Sequence, residues 1–123
     1  MSYVKVYYRR IWLFGFIPLP FRHTFLEVDN GLEVVRKGFY PNDSTWLFLG
    51  STLMFVKGGT RSESIGDYWK IVSGDKVEVK MILKEIKKVK WQKFHALRRN
   101  CFHWRNEVLK RSGIEVPRDS WFG

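Results

Sequence analysis

The stretch "RHTFLEVDNGLEVVRKGFYP", residues 22 to 41, holds two β-rich segments joined around Asn30-Gly31. An Asn-Gly pair between apolar runs is the strongest short-range signal for a β-hairpin, because both residues tolerate the positive φ that a tight hairpin turn demands. A hairpin here commits the chain to an antiparallel sheet, and the neighbouring segments are read outward from it. On the N-terminal side, "YVKVYY" (3 to 8) alternates in a β-rich composition. Residues 11 to 17 form a continuous apolar run, which predicts a strand covered on both faces. Basic residues ahead of that run give the N-terminus a signal-peptide look. However, Pro18 and Pro20 close the run and no small-residue cleavage site follows, so the expectation is a chain made in the cytoplasm without a cleaved signal. No transmembrane helix is visible in the sequence, which predicts no stable membrane insertion.

On the C-terminal side, residues 41 to 66 mix Pro, Ser, Gly and Thr with short apolar patches, and strand, loop and lid all remain open. "SIGDYWKIV" reads as one more strand. Asp75 with Glu78 resembles a capping box opening a helix from about 76 to 90, along which Val79, Ile82, Leu83, Ile86 and Val89 recur at helical spacing. Residues 91 to 99 read as a loop or broken helix. Asn100 is a good N-cap for a helix over about 101 to 112, with Cys101, Trp104, Val108 and Leu109 on one face. Gly113 then supplies a C′ stop, with Ile114 closing behind it. The predicted class is α+β: a small antiparallel sheet packed against helices, with a cysteine at a helix N-terminus.

At 123 residues the chain is one domain long, 1 to 123, and its 45% apolar and 17% aromatic content can fill a single core. The 22 Lys and Arg against 12 Asp and Glu leave a net charge of +10, which draws the protein toward polyanions such as nucleic acid, acidic lipid or an anionic cell wall. The basic residues are scattered, and the densest run, "KEIKKVKWQK" (84 to 93), reads as a solvated helix face rather than a nucleic-acid module. One cysteine excludes an internal disulfide framework, and without a second Cys or a paired-His spacing no metal site is expected.

The single thiol sits where a helix begins. A helix N-terminus directs unpaired N–H groups and a partial positive charge at its first turn, an environment that favours thiolate and makes a candidate nucleophile. The competing reading is a small buried hydrophobe on the apolar helix face. A nucleophile needs a base. His103 lies two residues on from Cys101 and so points about 200° away from it. His95 sits in the preceding loop with nothing to fix it, whereas His23 opens the first hairpin strand, where a sheet could hold an imidazole rigidly.

Together, "RHTFLEVDNGLEVVRKGFYP" and, further on, "FHALRRNCFHWRNEVLKRSGI" (94 to 114) resemble the circularly permuted NlpC-type papain-like fold, in which a hairpin His precedes a Cys that starts a helix in an "NC" context. The resemblance implies a thiol-dependent amidase or peptidase without cofactor: Cys101 attacks a carbonyl, His23 takes and returns the proton, and the Cys101 N–H is one oxyanion donor. It also implies a peptidoglycan or peptide substrate, an antibacterial effector or lysis enzyme exported by a specialised route, and a cognate inhibitor or immunity protein as partner. In the lecithin:retinol acyltransferase-like branch the orienting residue is a second His, twelve positions after the first, and Val35 stands there in this chain. With a three-residue turn, His23, Glu27, Glu33, Val35 and Lys37 share a face. With a two-residue turn, Glu33 changes face and leaves Glu27 and Arg36 beside His23. Glu33 is the first candidate for third catalytic residue, then Glu27, then none. Trp104 and Tyr40 read as packing, and Arg22 and Arg99 either as holders of an acidic substrate group or as solvated surface.

Overall fold

A computed structural model of the chain describes residues 2–13, 16–41 and 50–119. Among them, β1 (Ser2–Leu13), β2 (Ile17–Asn30), β3 (Val34–Pro41), β4 (Val56–Ser62), β5 (Tyr68–Ser73), α1 (Lys76–Lys88), β6 (Lys93–Phe94) and α2 (Cys101–Arg111) follow in chain order. The strands form one six-stranded antiparallel sheet in the order β5-β1-β2-β3-β4-β6, so the class is α+β.

Both helices start where their caps dictate. The Asp75 carboxylate accepts the N–H groups of Val77 and Glu78, and the Asn100 side chain accepts those of Phe102 and His103. Each cap satisfies donors that the first turn would otherwise leave orphaned, a contribution of about 1 kcal/mol. Gly113, at φ 76°, ends α2 in the left-handed conformation that glycine adopts without strain. The helices bury Val79, Ile82, Ile86, Trp104, Val108 and Leu109 against Val4, Val6, Leu26, Val28 and Phe39 of the sheet. Lys84, Lys87 and Lys88 stay in solvent, as a solvated helix face requires.

Strand β2 is buried over six consecutive residues, His23 to Val28, because both of its faces are covered. Thr24, Leu26 and Val28 alternate toward the helices, and α2 reaches Thr24 through Arg105. The other side carries His23, Phe25 and Glu27, with Tyr7 stacked on Phe25 at 5.1 Å. Over this side passes the connection from β4 to β5, where the Asp67 N–H reaches the Tyr8 carbonyl. A Cβ on Gly66 would lie 2.8 Å from that same oxygen, so the crossing is close enough to need glycine.

Two expectations are corrected. The 11 to 17 run is not a strand buried on both faces: it is the end of β1 and the start of β2, with residues 14 and 15 outside the described residues, and Trp12, Phe16 and Ile17 are exposed. Among the described residues no ladder flanks it, since β5 pairs with β1 only as far as Tyr8 and β3 pairs with β2 only from Leu26 to Asp29. The hairpin turn is neither the two- nor the three-residue form. Asp29 pairs with Val34, leaving a four-residue loop in which the Asn30 side chain accepts from the N–H groups of Leu32 and Glu33, and the Asp29 side chain accepts from Gly31. These short acceptors build the loop from side chains, and the register moves with it. Of the open segment 41 to 66, residues 56 to 62 are β4, and 42 to 49 lie outside the described residues.

Candidate active site

The ladder between β2 and β3 ends at Leu26–Lys37, while β2 continues along β1 and β3 continues along β4 to Pro41. Beyond that point no backbone bonds join His23 to Tyr40, and the two meet ring on ring, with centroids 4.2 Å apart. Where the strands part, Cys101 at the start of α2 lies beside the His23 imidazole, close enough for its sulfur to act on the titration of the ring. The other end of that ring is held by Glu63, just past the end of β4, whose Oε2 lies 2.8 Å from Nε2. With Nε2 engaged by the carboxylate, Nδ1 is the nitrogen left for the thiol proton.

Glu63 is itself fixed from three sides. Its Oε1 lies 3.4 Å from the Arg9 guanidinium, it accepts the Tyr40 hydroxyl, and its side chain is only 3% exposed. The His23–Glu63 contact also depends on Gly38: a Cβ there would stand 2.6 Å from Glu63 Oε2, 2.9 Å from Phe25 Cβ and 3.0 Å from His23 Nε2. Glycine at this point of β3 is therefore a space requirement, since contacts below 3.0 Å force something to move.

Burial alone would push the His23 pKa down. The Cys101 sulfur, through its charge and its hydrogen bond, and then the Glu63 carboxylate, outweigh this and raise it from 6.5 to about 9. Tyr40 is shifted upward first by burial and then by its bond to Glu63, so its phenol stays protonated as a donor. Around the sulfur, the Asn100 side chain takes the N–H groups of Phe102 and His103, and the Asn100 carbonyl takes that of Trp104. Among the described residues no acceptor takes the Cys101 N–H, which leaves it as a donor beside Sγ.

Sequence reasoning named Cys101 and His23, and the structure brings them together. It does not bring Glu33. That residue is exposed in the loop at the far end of the hairpin, level with Asn30, which ends β2 seven residues beyond His23, roughly 23 Å at the rise of an extended strand. Glu27 is buried on the His23 side but turned to Arg36 at 2.7 Å, with Tyr3 and Lys5 on its second oxygen. The carboxylate against the imidazole is Glu63, from the segment whose structure the sequence left open. The structure explains its delivery: Gly58 sits against the Tyr40 carbonyl, where a Cβ would come within 2.6 Å, so β4 lies close against β3 and the Glu63 N–H reaches the Arg36 carbonyl, a contact the sequence does not signal. Arg9 was not singled out, and Tyr40 was read as packing.

The remaining candidates have other partners. His95 Nδ1 accepts the N–H groups of Leu97 and Arg98, and His103 Nδ1 accepts that of Asn100 in a capping box. Arg22 lies over the Tyr8 ring and donates to the Tyr68 hydroxyl, and Arg99 lies over Trp91 at 3.8 Å. Among the described residues no group of three potential metal ligands occurs, and no helix is long and apolar enough to cross a membrane.

A second buried ion pair lies one helical turn along α2. Arg105, fully buried, bonds both oxygens of Asp119, at 2.8 and 2.6 Å, and donates to Thr24 Oγ1 next to His23 in β2. Tyr8 also donates to Asp119. The helix that carries the thiol is thus tied to the strand that carries the imidazole. Comparison with protein-family models, with curated proteins and with solved structures finds no match to this chain.

Proposed function

We propose that the protein is a cysteine hydrolase of the permuted NlpC-type papain-like fold that cleaves amide bonds, with peptidoglycan stem peptide as the preferred substrate. The observation that carries this reading is the buried imidazole of His23 held between the Cys101 thiol and the Glu63 carboxylate. A nucleophile, a base and an orienting acid in that order are the working parts of thiol acyl transfer. His23 accepts the Cys101 proton, Sγ adds to the scissile carbonyl, and the oxyanion meets the Cys101 N–H. The imidazolium then protonates the leaving amine as the carbon–nitrogen bond breaks. Water, deprotonated by His23, hydrolyses the thioester and restores the thiol. Glu63 holds the ring in place, taking the role for which Glu33 was the first sequence candidate.

Cys101 is 1% and His23 6% exposed, so a carbonyl reaches the sulfur only when the cover over the pair moves. The net charge of +10 favours contact with an anionic wall polymer. Acyl transfer on a lipid of the same fold type is the second reading, favoured by the exposed apolar residues Trp12, Phe16 and Ile17 of the β1–β2 hairpin, whose second strand also carries His23.

The test is digestion of purified peptidoglycan followed by mass spectrometry, with acid quenching to trap an acyl group on Cys101. New amine and carboxyl ends, absent with Cys101→Ala, are expected. Acylation from a lipid but not from peptidoglycan would move the assignment to the lipid branch. Activity on neither, with binding properties unchanged in Cys101→Ala, would contradict an enzyme of either kind.

A further inference from the structure

The β1–β2 hairpin extends past its neighbours. Beyond Tyr8 no β5 residue pairs with β1, and before Leu26 no β3 residue pairs with β2, so Arg9 to Leu13 and Ile17 to Arg22 form a two-stranded arm. Its neck is fixed: Ile11 and Phe21 pack against the core, and the Arg10 N–H donates to Asp67. At five residues past Tyr8, the arm reaches about 17 Å beyond the end of the β5 ladder.

The tip is apolar and in solvent. Trp12 is 52% exposed, Phe16 71% and Ile17 40%, on strand ends joined by the register Trp12–Pro18 and Leu13–Ile17. Large apolar side chains gathered on a protruding tip mark an interaction site rather than ordinary surface. The charge on the arm itself has one sign. Exposed Arg10 and half-buried Arg22 face each other across the neck, and the first acidic residue of the chain is Glu27. Asp67 approaches the neck but is turned to the Arg10 backbone.

The edge chemistry selects among occupants. Pro18 and Pro20 have no N–H, and within a two-stranded ladder proline is tolerated on the outward side, so the outer edge of β2 lacks two donors that an added strand would need. A partner that pairs strand to strand is therefore disfavoured. Tryptophan and phenylalanine beyond the exposed Arg10 suit the boundary between lipid headgroups and acyl chains, with the guanidinium group on anionic phosphate.

We infer that the β1–β2 arm is a surface anchor that seats Trp12, Phe16 and Ile17 in the interface of an anionic lipid membrane, with Arg10 on the headgroups. The docking is peripheral and reversible. It is independent of the thiol chemistry, so the Cys101→Ala protein binds as the wild type does.

The experiment is co-sedimentation of the full chain with phosphatidylcholine vesicles with and without phosphatidylglycerol, for the wild type, Trp12→Ser/Phe16→Ser, and Arg10→Glu. All of these positions are exposed at the tip or neck, and circular dichroism verifies the fold of each variant. Binding to the anionic vesicles is expected to fall roughly tenfold or more in the double variant, given the apolar area withdrawn from the interface. Arg10→Glu should weaken it several-fold, and salt approaching about 0.5 M should weaken the wild type. Failure of the wild type to bind anionic vesicles would overturn the inference. So would equal binding by the double variant, which would assign the contact to scattered surface charge. Concentration-dependent dimerisation without lipid, abolished by Trp12→Ser/Phe16→Ser, would assign the tip to a second copy of the chain.

Discussion

Two buried ion pairs lie at adjacent residues of β2, one at Thr24 on the helix side and one at His23 on the other, and the difference that matters is whether a proton can move. Arg105–Asp119 joins a guanidinium, which is never deprotonated, to a carboxylate held below its ordinary range despite burial by Arg105 and Tyr8. It is a permanent clamp. His23–Glu63 joins an imidazole to a carboxylate of similar burial, and on its other side the imidazole meets a thiol. Both pairs are buried, but only the second contains a proton that can move. The mobile proton is thus confined to the His23 side of β2, while the Arg105 clamp ties α2 to the neighbouring Thr24.

The largest effects should come from breaking the mobile pair. On a cleavable amide substrate, Cys101→Ala should abolish turnover, and His23→Ala or Glu63→Gln should lower kcat by about 10²–10⁴-fold with smaller changes in KM. Steady-state kinetics measure this, and a Glu63→Gln enzyme of unchanged kcat would remove the carboxylate from the mechanism.

Breaking the permanent pair should act on stability. Asp119→Asn leaves Arg105 buried with its charge unmatched, and denaturant unfolding should show a loss of about 3–5 kcal/mol. The two pairs also predict opposite pH limits. Asp119 is lowered from 3.8, so its contribution is present above that value and is lost as pH falls through the lowered value. His23 is raised from 6.5 to about 9, so its contribution is full below 6.5 and is lost as pH rises toward about 9. Unfolding followed across both ranges should show the acid limb vanish in Asp119→Asn and the alkaline limb vanish in His23→Ala.

Gly38→Ala sharpens the comparison further. The added methyl falls on Glu63 and Phe25, and overpacking of this kind costs about 1–3 kcal/mol. It should also displace Glu63 and so lower both activity and the His23 pKa, while leaving the Arg105 clamp intact. The smallest effect is expected at Glu33: with its side chain in solvent, Glu33→Gln should shift stability by less than about 0.5 kcal/mol and leave kcat unaltered.

The parts of this architecture that were legible in the sequence are those set by local chemistry. Asp75 and Asn100 placed both helix starts, and Gly113 placed the end of α2, because each cap is a bond between near neighbours. The hairpin was legible, but its register was not. Asn30-Gly31 is compatible with several loops, and the choice fell to the Asp29 and Asn30 side chains bonding four residues into place. His23 and Cys101 were legible as partners through the resemblance of their contexts. Glu63 was not, because it reaches the imidazole through β4, whose glycine pair reads as a loop until the close contacts of Gly58 with Tyr40 and Phe94 are seen. The apolar run 11 to 17 misled for a related reason: a stretch rich in Trp, Phe and Ile reads as core, and only the absence of flanking ladders shows it to be a tip.

The central claim is that Cys101 and Glu63 together govern the protonation of His23, and the most direct test is the NMR titration of the His23 ring in the wild type, Cys101→Ala and Glu63→Gln. The account predicts a midpoint near 9 in the wild type that drops in each variant, falling below the ordinary 6.5 when both partners are removed and burial acts alone. A His23 midpoint at or below 6.5 in the wild type, indifferent to Cys101→Ala, would show that the thiol and the imidazole do not share a proton and would contradict the mechanism.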